Sequence, residues 1–297
     1  MYYILGFMNN QGNKWFYLLA LSFIWGSSFI LIKKALVGLS PFQMGALRII
    51  FTAFFLFAVG FKSVKQVQKS DWKWIALTAL AGSFLPPFFF AFAQTEIDSA
   101  IAAILNSLTP LNTIVTGVLL FGVVSFRRQW LGIIIGLIGT SILILKGATF
   151  NPDQNYWYSL LVLASSLCYA LNINMLKKYL QHLSPLSIAT ANFTIILIPA
   201  IAILYSTGFF EVIFASSTMQ KSLVYVVLLS LFGTALAKVL FNKLISISNP
   251  VFAASVTYTM PIMAIFWGIL DGESLSFLQL LGGVIILAGV YLANRSA

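Results

Sequence analysis

The sequence predicts an all-α membrane protein of ten transmembrane helices, arranged as two inverted five-helix repeats. Three observations carry that expectation. Of the 297 residues, 60% are hydrophobic and 8% charged, where a soluble domain has roughly a quarter charged. Apolar blocks near the length that crosses a bilayer follow one another from end to end. Two stretches 144 residues apart also read almost alike, KKALVGLSP at 33–41 and KKYLQHLSP at 177–185.

In chain order, residues 1–14 form a short tail ahead of the first span, Trp15–Ile32, which is too long for a cleavable signal and has no small-residue cleavage site behind it. Lys33-Lys34 and then Ser40-Pro41, an N-cap and first-turn pair, lead into the second span, Phe42–Phe61. The third, Trp74–Ala93, carries Pro86-Pro87, and the fourth, Ala100–Gly122, carries Pro110. The fifth, Trp130–Leu145, is short and closes the first repeat, residues 15–147. The second repeat, 148–297, holds Trp157–Leu176, Leu186–Tyr205, Leu223–Asn242, Val251–Leu270 and Phe277–Ala293. Strands are excluded by length, since a membrane strand needs only about 9–11 alternating residues, and helices alone then satisfy the backbone in lipid.

The duplication rests on collinear anchors. Ser184-Pro185 and Pro261 stand in the second half where Ser40-Pro41 and Pro110 stand in the first, and QWLGIIIGLIG (129–139) matches QLLGGVIILAG (279–289). Five spans is an odd number, so the second copy enters the membrane from the opposite side. Carriers with inverted repeats hold their substrate near the midplane, at the repeat interface.

The net charge of +10 follows the topology. With both termini in the cytoplasm, eleven basic residues, Arg295 among them, fall in cytoplasmic segments; four, Lys33, Lys34, Lys146 and Lys221, fall outside, and Arg48 and Lys238 lie within spans. That asymmetry obeys the positive-inside rule, so the basicity is topology and not a nucleic-acid patch; the expected location is the cytoplasmic (inner) membrane of a bacterium. The lone Cys168 permits no intrachain disulfide.

FIWGSSF in the first span, Pro110, Pro261 and the closing stretch MPIMAIFWGILDGESLSFLQLLGGVIILAGVYL resemble the EamA family of the drug/metabolite transporter superfamily. The resemblance covers essentially the whole chain, and its most specific part is the spacing from Pro261 through Gly272 and Glu273 to Gly282. It implies a ten-helix secondary carrier, of a kind that often exports amino acids, other metabolites or drugs. The first repeat departs from the pattern, with FGVVSF in place of a Gly-Glu pair.

A carrier must line a polar path through an apolar bundle, so polar residues sharing a helical face are the candidates. At about 100° per residue, Ser83, Pro87, Phe90 and Gln94 align on the third span, and Ser99, Asn106, Thr109 and Thr113 on the fourth. Ser165, Tyr169 and Asn172 align on the sixth, and Thr234, Lys238 and Asn242 on the eighth. The substrate-binding set takes Gln94, Asn106, Thr109, Tyr169, Asn172, Thr234 and Lys238 from these faces and adds Trp25, which beside Gly26 can form an aromatic wall, and Arg48, a cation within a span. Hydrogen bonding between helices is the competing use of any single Ser, Thr or Asn. Arg48 lies about 9 Å of helical rise inside its span and Lys238 about 6 Å from the end of its own; snorkelling to an interface is the cheaper reading for Lys238. Pro110 and Pro261 are candidate hinges. Gly132, Gly136 and Gly139, with Gly282 and Gly289, permit close helix approach, within the monomer by default and across a weak homodimer seam as the alternative.

None of the seven acids falls inside a span, which argues for facilitated transport or exchange over proton coupling, with Glu96 the remaining proton acceptor. No catalytic constellation, metal cluster or cofactor motif is present in the sequence, so an enzyme is not expected. The expectation is a carrier for a small metabolite, whether amino acid, organic anion or drug-like solute, working by alternating access as an exporter or exchanger. A passive channel or a non-transporting scaffold or receptor is the alternative.

Overall fold

The computed structural model describes residues 13–212 and 216–294. Most of the expected tail (residues 1–12) and Arg295 lie outside the described residues. Every expected span is helical. Nine are long and apolar enough to cross a membrane, and the tenth, Phe277–Asn294, is a shorter apolar helix. The chain is an all-α integral membrane protein.

Several helices run past their expected ends. The first, Asn13–Leu36, contains Lys33 and Lys34 in its last turn rather than in a loop, where two cations complement the negative end of the helix dipole. The fifth continues to Phe150, and the eighth begins at Ser217. The repeated Ser-Pro pairs do start helices. Ser40 Oγ accepts from Gln43 N–H (3.2 Å), and the Gln43 side chain accepts from Ser40 N–H (3.0 Å), ahead of Pro41–Gly60. Ser184 Oγ accepts from Ser187 N–H (3.1 Å), ahead of Pro185–Ser206.

Four spans are interrupted, and the interruptions come in pairs. The third span has a π-helical turn at Leu80–Phe84 between Trp72–Ala79 and Leu85–Ala93, and the eighth has one at Leu229–Leu236 between Ser217–Leu228 and Ala237–Ile247. The fourth breaks between Ser99–Asn106 and Thr109–Phe121, and the ninth at Ser255 between Pro250–Ala254 and Val256–Leu270. Such turns free backbone groups inside the membrane, which is tolerated where they line a protein-enclosed cavity.

Packing crosses between the halves in matched pairs. The first span packs on the ninth as the sixth does on the fourth, and the third on the sixth as the eighth does on the first. The second meets the seventh and the fifth meets the tenth. In the last pair the glycine faces are used up within the chain: a Cβ on Gly132 or Gly139 would collide with the backbone at Gly289 or Gly282.

Candidate functional site

Seven spans (first to fourth, sixth, eighth and ninth) enclose a cavity whose space, open mouth included, is about 850 Å³. Its walls are built from equivalent positions in the two halves. Trp25 and Tyr169, and Ser28 and Asn172, are related by the 144-residue offset of the Lys-Lys motifs. Gly82 and Gly233, Ser83 and Thr234, Phe90 and Phe241, and Asn106 and Thr257 are related by the 151-residue offset of Pro110 and Pro261.

The contacts repeat with the positions. Trp25 meets Phe241 edge-on at 4.9 Å between ring centres, and Tyr169 meets Phe90 at 6.2 Å. Gly233, inside one π turn, leaves room only for Ser28, as Gly82 in the other does for Asn172, so a Cβ at either would strike the facing side chain. Trp25 Nε1 donates to the Gly233 carbonyl at 2.9 Å.

Both membrane cations reach this cavity. Arg48 and Lys238 are 7% and 6% exposed, and both line it. Arg48 Nε donates to Thr234 Oγ1 at 2.8 Å, and Ser230 Oγ and Thr52 Oγ1 hold the Arg48 carbonyl. Lys238 has no hydrogen-bond partner among the described residues, and its burial against the cavity, rather than exposure at the end of its helix, is not the snorkelling arrangement.

Eight of the nine residues expected to bind substrate line this cavity: Trp25, Arg48, Asn106, Thr109, Tyr169, Asn172, Thr234 and Lys238. Gln94 does not. It is the residue on which the third helix ends, a turn beyond Phe90, and both ends of its buried amide lack a partner among the described residues. Thr113, Ser165 and Asn242 also lie off the lining, and Asn242 donates to the Pro185 carbonyl at 3.2 Å. Asn174 ties the sixth span to the fourth through Thr113 O (2.9 Å) and Thr116 Oγ1 (3.0 Å). Pro110 opens the second half of the broken fourth span, whereas Pro261 sits inside the continuous part of the ninth.

One end of the bundle is held by a residue that face-counting missed. Glu273 follows Gly272, whose positive φ of 84° makes the turn after the ninth span. Its side chain is 1% exposed. Oε1 takes Lys33 Nζ at 2.9 Å together with Ser99 N–H (3.0 Å) and Oγ (2.7 Å), and Oε2 takes Ala100 N–H at 3.1 Å. A carboxylate from the second half thus caps a helix of the first half and neutralises its lysine, which the helix dipole favours. Asp98, next to that helix start, makes no cap; burial pushes its carboxyl up, against a hydrogen bond to Gln154, and the charge of Glu273 adds to the rise. Asp271 pairs with Lys33 (2.9 Å) and with Lys34. Burial raises its carboxyl, but the bonds from Lys34 and Lys33 outweigh this and leave it below the usual range. The signal for Glu273 was the Gly-Glu pair facing Lys-Lys across the sequence. Glu96, in the same end's turn, is half-buried.

The model of the EamA-like transporter family matches residues 14–145 and again 156–295. An uncharacterized transporter of Archaeoglobus fulgidus is 28% identical over 96% of this chain and 98% of its own. The uncharacterized inner membrane transporter YedA of Escherichia coli K12 is 27% identical over 92% of this chain and 88% of its own. A probable amino-acid metabolite efflux pump of Salmonella typhimurium is 26% identical over 91% and 90%. A crystal structure of a protein 17% identical, covering 96% of this chain and 97% of that one, superposes with a TM-score of 0.65, a likeness of fold.

Proposed function

This chain belongs to the EamA-like transporter family, and from that premise we propose that the cavity between its halves is the substrate site of a carrier that opens first at one end and then at the other. The observation that carries this reading is the construction of the cavity from equivalent residues: Trp25 with Tyr169, Ser28 with Asn172, Phe90 with Phe241. Two halves of 15–147 and 148–297, inverted in the membrane, have matching aromatic pairs at either end, so exchanging one closed pair for its counterpart costs little in those contacts. The breaks of the fourth and ninth spans, the first beside Pro110 and the second at Ser255 ahead of Pro261, are the joints on which the halves rock.

The inner membrane location named for YedA and the efflux named for the Salmonella relative support an inner-membrane exporter or exchanger with both termini cytoplasmic. The Glu273 end then faces outward and is closed. With no carboxylate lining the cavity among the described residues, transport runs by exchange or facilitation rather than by obligatory proton coupling. One chain encloses the whole cavity, so a monomer suffices.

The test is a reversible cross-link. Lys33→Cys with Asp271→Cys, in a Cys168→Ser background, is joined by a short thiol-reactive linker and assayed by substrate counterflow in proteoliposomes. Linking stops flux and reduction restores it. Flux that continues through a linked protein would rule out alternation and favour a passive channel.

A further inference from the structure

We propose that the solute carried is a small organic anion, with an oxyanion head (carboxylate or phosphate) held between Arg48 and Lys238 and an apolar or aromatic body. This deepens the proposed function and rests on it.

The first ground is charge. The cavity lining contains two cations and, among the described residues, no acid. The acids nearest in kind, Asp271 and Glu273, are committed to Lys33 and Lys34 at the end of the bundle. A buried cation is costly unless paired, and the protein supplies neither Arg48 nor Lys238 with a carboxylate. An anionic occupant would.

The second ground is geometry. Arg48 spends only its Nε on the protein, donating to Thr234 Oγ1 at 2.8 Å. Its terminal nitrogens have no protein acceptor among the described residues, which leaves the fork that suits a two-oxygen anion. Lys238 follows Thr234 by four residues, one helical turn along the same face. The bond to Thr234 therefore brings the guanidinium to the wall that carries the ammonium, and one head group can meet both. Trp25, Phe29, Phe90 and Phe241 give the rest of the cavity an apolar, aromatic character. Ser83 Oγ and Asn172 Oδ1, buried there without partners, are free for a hydroxyl or keto group on the body. A zwitterion is disfavoured, because its ammonium would share the chamber with Lys238 and meet no acid.

Four probes that share a phenyl body test this: phenyl phosphate, phenylacetate, phenylalanine and phenethylamine. Each is measured by thermal shift of the full-length protein in detergent and by competition in proteoliposome counterflow. The two anions should stabilise the wild-type protein and the other two should not; a response to only one anion identifies the head group. Lys238→Met, which removes no hydrogen bond, and Arg48→Gln should each weaken anion binding at least tenfold, and Lys238→Glu should move preference toward phenylalanine. Equal or stronger response to phenylalanine or phenethylamine, or anion binding unchanged in Lys238→Met, overturns the assignment. So does the absence of any shift with all four probes. In each of those cases the cross-linking result stands or falls separately, so the carrier itself can survive the loss of its assigned substrate.

Discussion

Lys-Lys ends the first span and Lys-Lys ends the sixth, yet the two copies live in different surroundings. At the first, Lys33 and Lys34 face Asp271 and Glu273, and Glu273 also caps the half-helix that starts at Ser99. At the second, Lys177 donates to the Ile245 carbonyl at 3.3 Å and Lys178 to the Phe121 carbonyl at 3.4 Å. The matching half-helix at Pro250 is capped by its own neighbour, with Asn249 Oδ1 accepting from Phe252 N–H at 2.7 Å. The turn is conserved between the halves, since Gly122 has φ 71° where Gly272 has 84°. The acid is not: Val123, 47% exposed, stands where Glu273 would. A carrier of two equivalent halves would be indifferent between its two closed states. A charged clamp at one end only biases it toward closure at that end.

Removing the clamp should give the largest effect. Glu273→Ala deletes a buried charge partner and the cap together. Breaking such a pair costs about 2–3 kcal/mol, the lower part of the usual range, since the Lys33 side chain keeps 32% of its exposure. The population should move toward opening at that end. Ile32→Cys, lining the cavity at the position directly before Lys33, in a Cys168→Ser background, should then label with an impermeant thiol reagent at least tenfold faster when Glu273 is absent. Unchanged labelling would mean that the clamp does not set the resting state.

Building the missing clamp should give a smaller effect of opposite sense. Val123→Glu puts a carboxylate at the position matching Glu273, two residues beyond Phe121, whose carbonyl accepts from Lys178 at 3.4 Å. Because position 123 is exposed, the pair is worth no more than about 1 kcal/mol, roughly a fivefold shift. Counterflow should slow by that order, as a second end becomes reluctant to open, and the slowing should fade in high salt. A faster variant would break the parallel between the two ends.

Much of this was legible in the sequence, and what was not has identifiable causes. Span positions followed from the apolar blocks, because backbone satisfaction in lipid leaves one solution. Membership of the cavity followed for eight of nine residues from helical faces combined with the repeat. Gln94 failed because face-counting carries on past the end of a helix. For Lys238, a member of that set, snorkelling stood as the cheaper competing reading because a sequence gives depth along one helix and not the neighbours that bury the side chain. Glu273 escaped for a different reason: the backbone N–H groups of Ser99 and Ala100 that hold it belong to a helix start 174 residues away and have no side-chain signature.

The smallest effect separates the two acids of the clamp. Asp271 keeps 17% of its side-chain exposure, so Asp271→Asn should cost the closed state no more than about 0.5–1 kcal/mol. Its carboxyl is lowered in the folded protein, burial notwithstanding, by Lys34 and Lys33, so its stabilising contribution is complete above the usual aspartate value of about 3.9 and is lost as pH falls through the lowered one. Asp98 has the opposite sign. Its carboxyl is raised, so what it contributes is present at low pH and lost on ionisation as pH climbs through the raised value. Ile32→Cys labelling, divided at each pH by that of a freely exposed cysteine so that the thiolate fraction cancels, should therefore rise in acid, at a lower pH than an ordinary aspartate titrates. Asp98→Asn should remove any increase in labelling that comes as pH climbs through the raised Asp98 value and leave the acid limb in place, while Asp271→Asn should do the reverse. If both substitutions moved the same limb, the ion pairs around Lys33 would not be acting through separate carboxylates, and the bias between the two ends would rest on the helix cap alone.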